Sequence, residues 1–177
     1  MADGYTYQKL QSDIAELKAT YPFLEIGSIG YSVLGKSIPY IRIGRGQKEV
    51  FYNASFHANE WITTPVLMRF IEDYAAQYAL NGNLGQFSAR QIFNAVSLYV
   101  VPMVNPDGVD LVTGGLQVGD NPYKNAQIIA SEFPNIPFPS GWKANIDGVD
   151  LKIYQPIFLT FYPLYSPPFM CKTWPVT

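Results

Sequence analysis

The amino-acid sequence predicts an α/β fold with a mixed, mostly parallel sheet flanked by helices. Two runs of strand-forming residues, at 50–56 and 96–101, lie on either side of a helix-length segment with apolar residues at helical spacing. Strand, helix and strand in this order favour parallel pairing of the two strands. A glycine turn earlier in the chain predicts an antiparallel hairpin, which makes the sheet mixed.

The first predicted element is an amphipathic helix over residues 6–20, which Tyr21-Pro22 is expected to end. Its apolar residues recur at helical spacing, namely Tyr7, Leu10, Ile14, Leu17 and Tyr21. Two β-rich runs follow at 25–33 and 38–43. Because Leu34-Gly35-Lys36 separates them, they are interpreted as a hairpin.

The run 50–56 is rich in aromatic and other β-forming residues and predicts a buried strand. The next helix is expected to begin at Thr64-Pro65, with Thr64 as its cap and Pro65 in the first turn. Asn81-Gly82 is expected to end it, and a short helical piece follows at 86–94. The predicted apolar side of the helix consists of Val66, Leu67, Phe70, Ile71, Tyr74 and Tyr78.

The apolar run 96–101 predicts a central strand, and the Pro- and Gly-containing cluster 102–108 predicts a turn. Residues 113–143 are mostly Gly, Pro, Asn and aromatic, with one short helix expected at 126–133. We expect this region to be ordered, with its aromatic side chains in a core rather than on a ligand platform. These side chains are Tyr123, Phe133, Phe138 and Trp142.

The composition changes after residue 151, so residues 152–177 are interpreted as a separate tail. This tail has five prolines and no acidic residue. The prolines argue against a membrane span. A net charge of -2 without a basic patch argues against nucleic acid as a partner. The single cysteine, Cys171, excludes a disulfide framework, and the N-terminus has no signal-peptide pattern, which favours a cytoplasmic location.

The candidate site is His57 and Glu60, which follow the strand 50–56. Imidazole and carboxylate are good zinc ligands, and their spacing lets one short turn direct both at a single ion. The alternative is a packed histidine with no metal. Four aspartates further on are candidate ligands or, more commonly, turn caps, namely Asp107, Asp110, Asp147 and Asp150.

Five segments in order carry a resemblance: SIGYSVLGK at 28–36, HANEWIT at 57–63, NPDGV at 105–109, GWKANI at 141–146 and GVDL at 148–151. Together they resemble the zinc carboxypeptidase family, which is carboxypeptidase A-like, and its bacterial γ-D-glutamyl-L-diamino acid endopeptidases. The resemblance covers residues 5–151, the N-terminal part of the family's catalytic domain, and leaves 152–177 as a tail that does not match. It implies a zinc metallopeptidase acting on peptides or cell-wall peptides. It implies that His57 and Glu60 are the first two zinc ligands. Asn59 falls where carboxypeptidases often carry a substrate-binding arginine, and the NPDG turn is implied to be scaffold near the site.

The sequence departs from the family in several ways. The family's third zinc ligand is a second histidine, but His57 is the only one here. Lys152 and Ile153 stand where carboxypeptidases have Asn-Arg, and Asp147 stands where the endopeptidases usually have arginine, which leaves Lys143 as the nearest cation. We therefore expect a truncated and inactive chain that lacks the C-terminal part of the fold and is poorly soluble. We assign no catalytic residue. A frameshift after residue 151 is our hypothesis for the tail.

Two other functions stay open. One is a non-catalytic module that binds peptide or glycan through the aromatic region 123–142, which the missing third ligand favours. The other is a zinc amidohydrolase of the aspartoacylase type, which has a similar His/Glu start, although the segment 142–151 argues against it.

Overall fold

The structure is a computed structural model that describes residues 4–151, so the predicted tail 152–177 lies outside the described residues. Its main sheet contains β1 (Glu25–Tyr31), β2 (Ser37–Gly44), β3 (Lys48–Asn53) and β6 (Val96–Val101) in the order β1-β2-β6-β3. β1 and β2 form the predicted hairpin, β2 pairs antiparallel with β6, and β3 pairs parallel with β6. The α/β class and the mixed sheet are confirmed, while in this part of the chain one of the three pairings is parallel.

The helices are α1 (Tyr7–Thr20), α2 (Thr63–Ala79), α3 (Ala89–Ala95), α4 (Pro106–Thr113) and α5 (Asn121–Ser131). A two-residue strand pair, β4 (Asn83–Leu84) and β5 (Phe87–Ser88), lies between α2 and α3. Within residues 4–151, no helix is both long and apolar enough to span a membrane.

Helices α1, α2 and α3 share one core with the sheet. Leu10 and Ile14 of α1 and Ile71 of α2 pack with Ile41 of β2 and Val100 of β6. The first helix begins one residue later than predicted, because Thr6 caps it by accepting a hydrogen bond from the Lys9 backbone at 3.2 Å. The central position of β6 is confirmed.

The prediction that the run 50–56 is a buried strand is wrong. β3 lies at the edge of the four-stranded sheet, and Phe51 and Tyr52 are 40% and 49% exposed. Its aromatic composition suits a strand covered on both sides, but among the described residues only β6 pairs with it.

The predicted start of α2 needs correction. Thr64 is fully buried and donates its hydroxyl to the Pro102 carbonyl at 2.6 Å, while Ile62 holds the cap position without a side-chain cap. The apolar side is also shifted, because Val66 and Phe70 are exposed whereas Met68 is buried.

The interpretation of 102–108 as a plain turn is wrong for its second half, because Pro106 begins α4. Asn105 is the N-cap and accepts a hydrogen bond from the Gly108 backbone at 3.1 Å. Asn followed by Pro is a common helix start, since Asn caps and Pro fits the first turn. The short helix predicted at 126–133 is α5, which begins five residues earlier, after Asp120.

Candidate metal centre

His57 and Glu60 lie on a single helical turn, Ala58–Glu60, between the end of β3 and the start of α2. The backbone of His57 is extended, and the Glu60 N–H donates to the His57 carbonyl at 3.1 Å. This turn places Nδ1 of His57 2.9 Å from Oε1 of Glu60. The sequence-predicted ligand pair is therefore brought together.

A network of hydroxyl groups supports this turn. Ser55 adopts a left-handed backbone with φ of 53°, and its N–H donates to Oγ1 of Thr63 at 3.0 Å. Thr63 in turn donates to the Glu60 carbonyl at 2.8 Å, and the hydroxyls of Ser55 and Thr64 lie 2.7 Å apart. A positive φ in a residue other than glycine costs free energy, and such strain is concentrated at functional sites. In the sequence, the signal for this network is the presence of Ser55 and Thr63-Thr64 on either side of the His57–Glu60 turn.

The other ring nitrogen of His57 faces Asp150. Nε2 lies 3.4 Å from Oδ1 of Asp150, and His57 is 8% exposed. Asp150 was predicted as a candidate metal ligand or turn cap. The structure places it behind the histidine instead, where a carboxylate orients the ring of a metal ligand.

The arrangement of these three side chains fits a cation between His57 and Glu60. A neutral imidazole has one N–H, so it can donate to only one of two flanking carboxylates. When Nε2 holds that proton towards Asp150, the lone pair of Nδ1 faces Glu60 Oε1 at 2.9 Å. Two facing acceptors at this distance are stabilised by a proton or a metal ion.

The ligand set is incomplete in the part of the chain that the structure describes. No group of three His, Cys, Asp or Glu side chains able to hold a metal occurs within residues 4–151. A catalytic zinc site normally has three protein ligands and one open position. His57 and Glu60 therefore fit two of the three places.

Asn59, the predicted substrate-binding residue, lies between the two candidate ligands in the turn. Its side-chain oxygen is buried and has no hydrogen-bond partner within residues 4–151. Lys143, the predicted nearby cation, is exposed, and its carbonyl accepts a hydrogen bond from the Ala58 backbone at 3.0 Å. A role for Asn59 in substrate binding stays a prediction.

Asp107 and Asp110, two of the candidate metal ligands or turn caps, face a lysine and backbone N–H groups. Both lie in α4 and form ion pairs with Lys36, at 3.3 Å and 2.7 Å respectively. Each also accepts a backbone hydrogen bond, from Leu34 and from Tyr7 respectively. The cluster joins the hairpin loop, the start of α1 and α4.

Three aromatic side chains of the region 123–142 belong to a second core. Tyr123 lies edge-on to Phe138 with ring centroids 5.3 Å apart, and Phe138 lies edge-on to Trp142 at 6.0 Å. Trp142 is 7% exposed and packs with Ala144 and Ile146. The interpretation of Tyr123, Phe138 and Trp142 as core residues is confirmed.

A cavity of about 330 Å³ lies between α1 and α2, away from His57. Its lining includes Tyr5, Asp13, Glu16, Met68, Arg69 and Glu72, and none of the residues near His57 contributes to it. Several of these groups already pair with one another, since Tyr5 donates to Asp13 at 2.6 Å. The cavity is therefore separate from the candidate metal centre.

Comparison with known proteins identifies the family. Residues 10–152 match the zinc carboxypeptidase family. The chain is 47% identical over 148 residues to γ-D-glutamyl-L-diamino acid endopeptidase 1 of Lysinibacillus sphaericus, covering 84% of this chain and 37% of that protein. It is 40% identical over 149 residues to the uncharacterized protein YqgT of Bacillus subtilis (strain 168), covering 83% of this chain and 39% of that protein.

Among solved structures, bovine thrombin-activatable fibrinolysis inhibitor in complex with tick carboxypeptidase inhibitor matches with a TM-score of 0.55 and 17% identity. The match covers 80% of this chain and 37% of that one, and it supports the fold alone. The chain spans less than two-fifths of the length of the Lysinibacillus sphaericus and Bacillus subtilis relatives. The family match covers most of the chain and includes the His57–Glu60 turn, and the chain belongs to the zinc carboxypeptidase family.

Proposed function

We propose that this chain holds zinc through His57 and Glu60 as part of a peptidase that cleaves γ-D-glutamyl-diamino acid bonds in cell-wall peptides. The family is one of zinc metallopeptidases. The observation that carries the proposal is the 2.9 Å approach of the Nδ1 and Oε1 atoms of the two ligands. The substrate class is proposed from the 47% identity to a γ-D-glutamyl-L-diamino acid endopeptidase.

The residues of this chain would bind and orient the reacting groups. His57 would bind zinc through Nδ1 and Glu60 through its carboxylate, while Asp150 holds the ring by its Nε2 side. Zinc, when bound, lowers the pKa of a coordinated water and polarises the scissile carbonyl. Asn59, between the ligands, is proposed to contact the substrate. No residue of the part described is assigned as general base.

We further propose that the chain of 177 residues does not hydrolyse peptides by itself. It contains a single histidine, whereas three ligands are normal for catalytic zinc. We expect weak but specific zinc binding by the purified chain, measured by competition with a chromophoric chelator. His57→Gln should abolish it. Wild-type and His57→Gln chains with equal zinc affinity would overturn the proposal.

The substrate class needs a different experiment. Residues 1–151 of this chain would replace the matching part of the Lysinibacillus sphaericus endopeptidase, with which they share 47% identity. We expect this chimera to cleave a γ-D-glutamyl-diamino acid peptide but not its α-linked L-glutamyl isomer. The His57→Gln and Glu60→Gln chimeras are the matched controls, and both should be inactive. A folded chimera that prefers the α-linked isomer would contradict the proposed substrate.

A non-catalytic peptide-binding or glycan-binding module is the second candidate. It is favoured by the absence of a third ligand within residues 4–151. The burial of Tyr123 and Trp142 argues against it, because buried side chains do not form an exposed aromatic surface for a ligand. Peptide binding that persists after zinc is chelated would support the module. The amidohydrolase alternative has no support from the family match, and a cytoplasmic location stays a prediction.

A further inference from the structure

The Asn105 side chain joins two loops at the candidate metal centre. Its Nδ2 donates to the Phe56 carbonyl at 3.1 Å and to the Ala144 carbonyl at 3.0 Å. Its Oδ1 accepts from the Gly108 N–H at 3.1 Å. Asn105 is 2% exposed, so these bonds are shielded from water. The cap of α4 requires only the bond from the Gly108 N–H, so the bonds to the Phe56 and Ala144 carbonyls are additional to capping.

The two loops carry the two partners of the candidate site. Phe56 directly precedes His57, and Ala144 begins the segment that leads to Asp150. Asn145 closes this second segment, since its N–H donates to the Val149 carbonyl at 2.8 Å. This bond closes the loop from 145 to 149, so the attachment at Ala144 bears on where the adjoining Asp150 lies relative to His57.

Close packing at Gly108 reinforces this attachment. A Cβ atom at Gly108 would lie 2.7 Å from the Ala144 carbonyl oxygen and 2.8 Å from the Cβ of Ala58. Both distances are too short for a real side chain. The first turn of α4 thus lies directly against both loops, with no room for either to move towards the helix.

We propose that Asn105 is a positioning residue for the metal pair, and this inference rests on the proposed zinc site. Its amide holds the His57 loop and the Asp150 loop at a fixed separation. That separation keeps Nε2 of His57 near Asp150 and leaves Nδ1 directed at Glu60. Asn105 itself contacts neither the metal nor the substrate.

The test variant is Asn105→Ser. Serine is as good an N-cap as asparagine, so α4 keeps its cap, but the side chain is too short to reach both carbonyls. We expect the zinc affinity of the chain to fall about 10-fold, as is typical when a group behind a metal ligand is lost. The control is Asn94→Ser, which removes the hydrogen bond from Arg45 Nε at 2.8 Å near the opposite end of β6. It should bind zinc like the wild type.

A second readout does not need zinc. His57 is the only histidine, so isotope-labelled histidine gives the nitrogen signals of one ring. These chemical shifts report which ring nitrogen carries the proton. In the metal-free chain we expect Asn105→Ser to change them and Asn94→Ser to leave them unchanged. Loss of the α4 cap without displacement of the two loops would leave the His57 ring shifts unchanged.

The outcomes separate the two proposals. If the wild type does not bind zinc, the proposed function fails, and the ring shifts alone decide the role of Asn105. A folded Asn105→Ser chain with unchanged zinc affinity and ring shifts overturns the inference. If this variant does not fold, Asn105→Asp replaces it, because it keeps the cap and the size but lacks the amide. Failure of both to fold would make Asn105 a folding residue and overturn the inference as well.

Discussion

The Nε2 atom of His57 lies 3.4 Å from Oδ1 of Asp150, on the side of the ring that faces away from Glu60. A carboxylate in this place fixes the ring orientation and raises the basicity of a metal-binding histidine. The ring is buried, while the Glu60 side chain is 51% exposed. His57 therefore faces a carboxylate at each ring nitrogen, Asp150 on one side and the more exposed Glu60 on the other.

Asp150→Asn should weaken zinc binding without removing a ligand. The amide keeps the size of the side chain but lacks the charge that orients the His57 ring, so we expect a loss of about 10-fold in affinity. Chelator competition on the purified chain measures it. Asp147→Asn is the matched control, because Asp147 lies exposed in the same loop. Equal affinities for the two variants would show that Asp150 does not support the ligand.

Lys36→Met should destabilise the fold strongly. The Lys36 ammonium pairs with Asp107 and Asp110, whose side chains are 2% and 8% exposed. Removing the cation leaves two buried carboxylates without their counter-charge, which costs about 3 kcal/mol of unfolding free energy. Urea denaturation measures this loss. Lys9→Met, which breaks the solvent-exposed pair with Asp13, is the control and should change stability little.

Local sequence patterns predicted the elements whose neighbours are close in the chain. The hairpin of β1 and β2 and the start of α1 depend on spacing and on residues a few positions apart. Both are present, with α1 beginning at Tyr7 after its cap Thr6. Asn105-Pro106 is also a local signal for the start of α4, although the nearby glycine and prolines favour a turn at the same place. The pairing of His57 with Asp150 depends on how distant loops pack, which no local pattern contains. The exposure of β3 likewise depends on which strands adjoin it.

Tyr74→Phe should stabilise the protein. The Tyr74 hydroxyl is buried and has no hydrogen-bond partner within residues 4–151, so the hydroxyl loses its hydration without compensation. Removing it should raise the free energy of unfolding by about 1 kcal/mol at neutral pH. Thermal and urea unfolding measure the change. Tyr31→Phe is the control, because Tyr31 is 75% exposed, and it should have no effect.

The same variant should change the response to alkaline pH. Burial raises the pKa of Tyr74 from 10.0 to about 12, so the folded chain keeps this proton where the unfolded chain loses it. The ionisation of this group leaves stability unchanged below about pH 10 and lowers it as the pH rises towards about 12, because the unfolded chain releases the proton more readily. Tyr74→Phe should therefore lose less stability over this range than the wild type does. Parallel pH profiles for the two proteins would contradict the role of Tyr74.

The exposed edge strand β3 should make the chain associate with itself. Phe51 and Tyr52 are 40% and 49% exposed on this strand, and Phe70 of α2 is 38% exposed with its ring 6.3 Å from that of Tyr52. Within residues 4–151 only β6 pairs with β3, so the other side of β3 has unpaired backbone groups beside exposed apolar side chains, which favours pairing between copies. We expect the mass measured by light scattering to rise with protein concentration.

Tyr52→Lys should reduce this association, because a charge on an edge strand opposes pairing with another strand. Phe87→Lys is the matched control, since Phe87 is 58% exposed but belongs to the two-residue β4–β5 pair rather than to the main sheet. If the association arises at β3, only Tyr52→Lys lowers the mass at high concentration. A wild-type chain that stays monomeric at every concentration, with one sharp cooperative unfolding transition, would show that the β3 edge does not drive association.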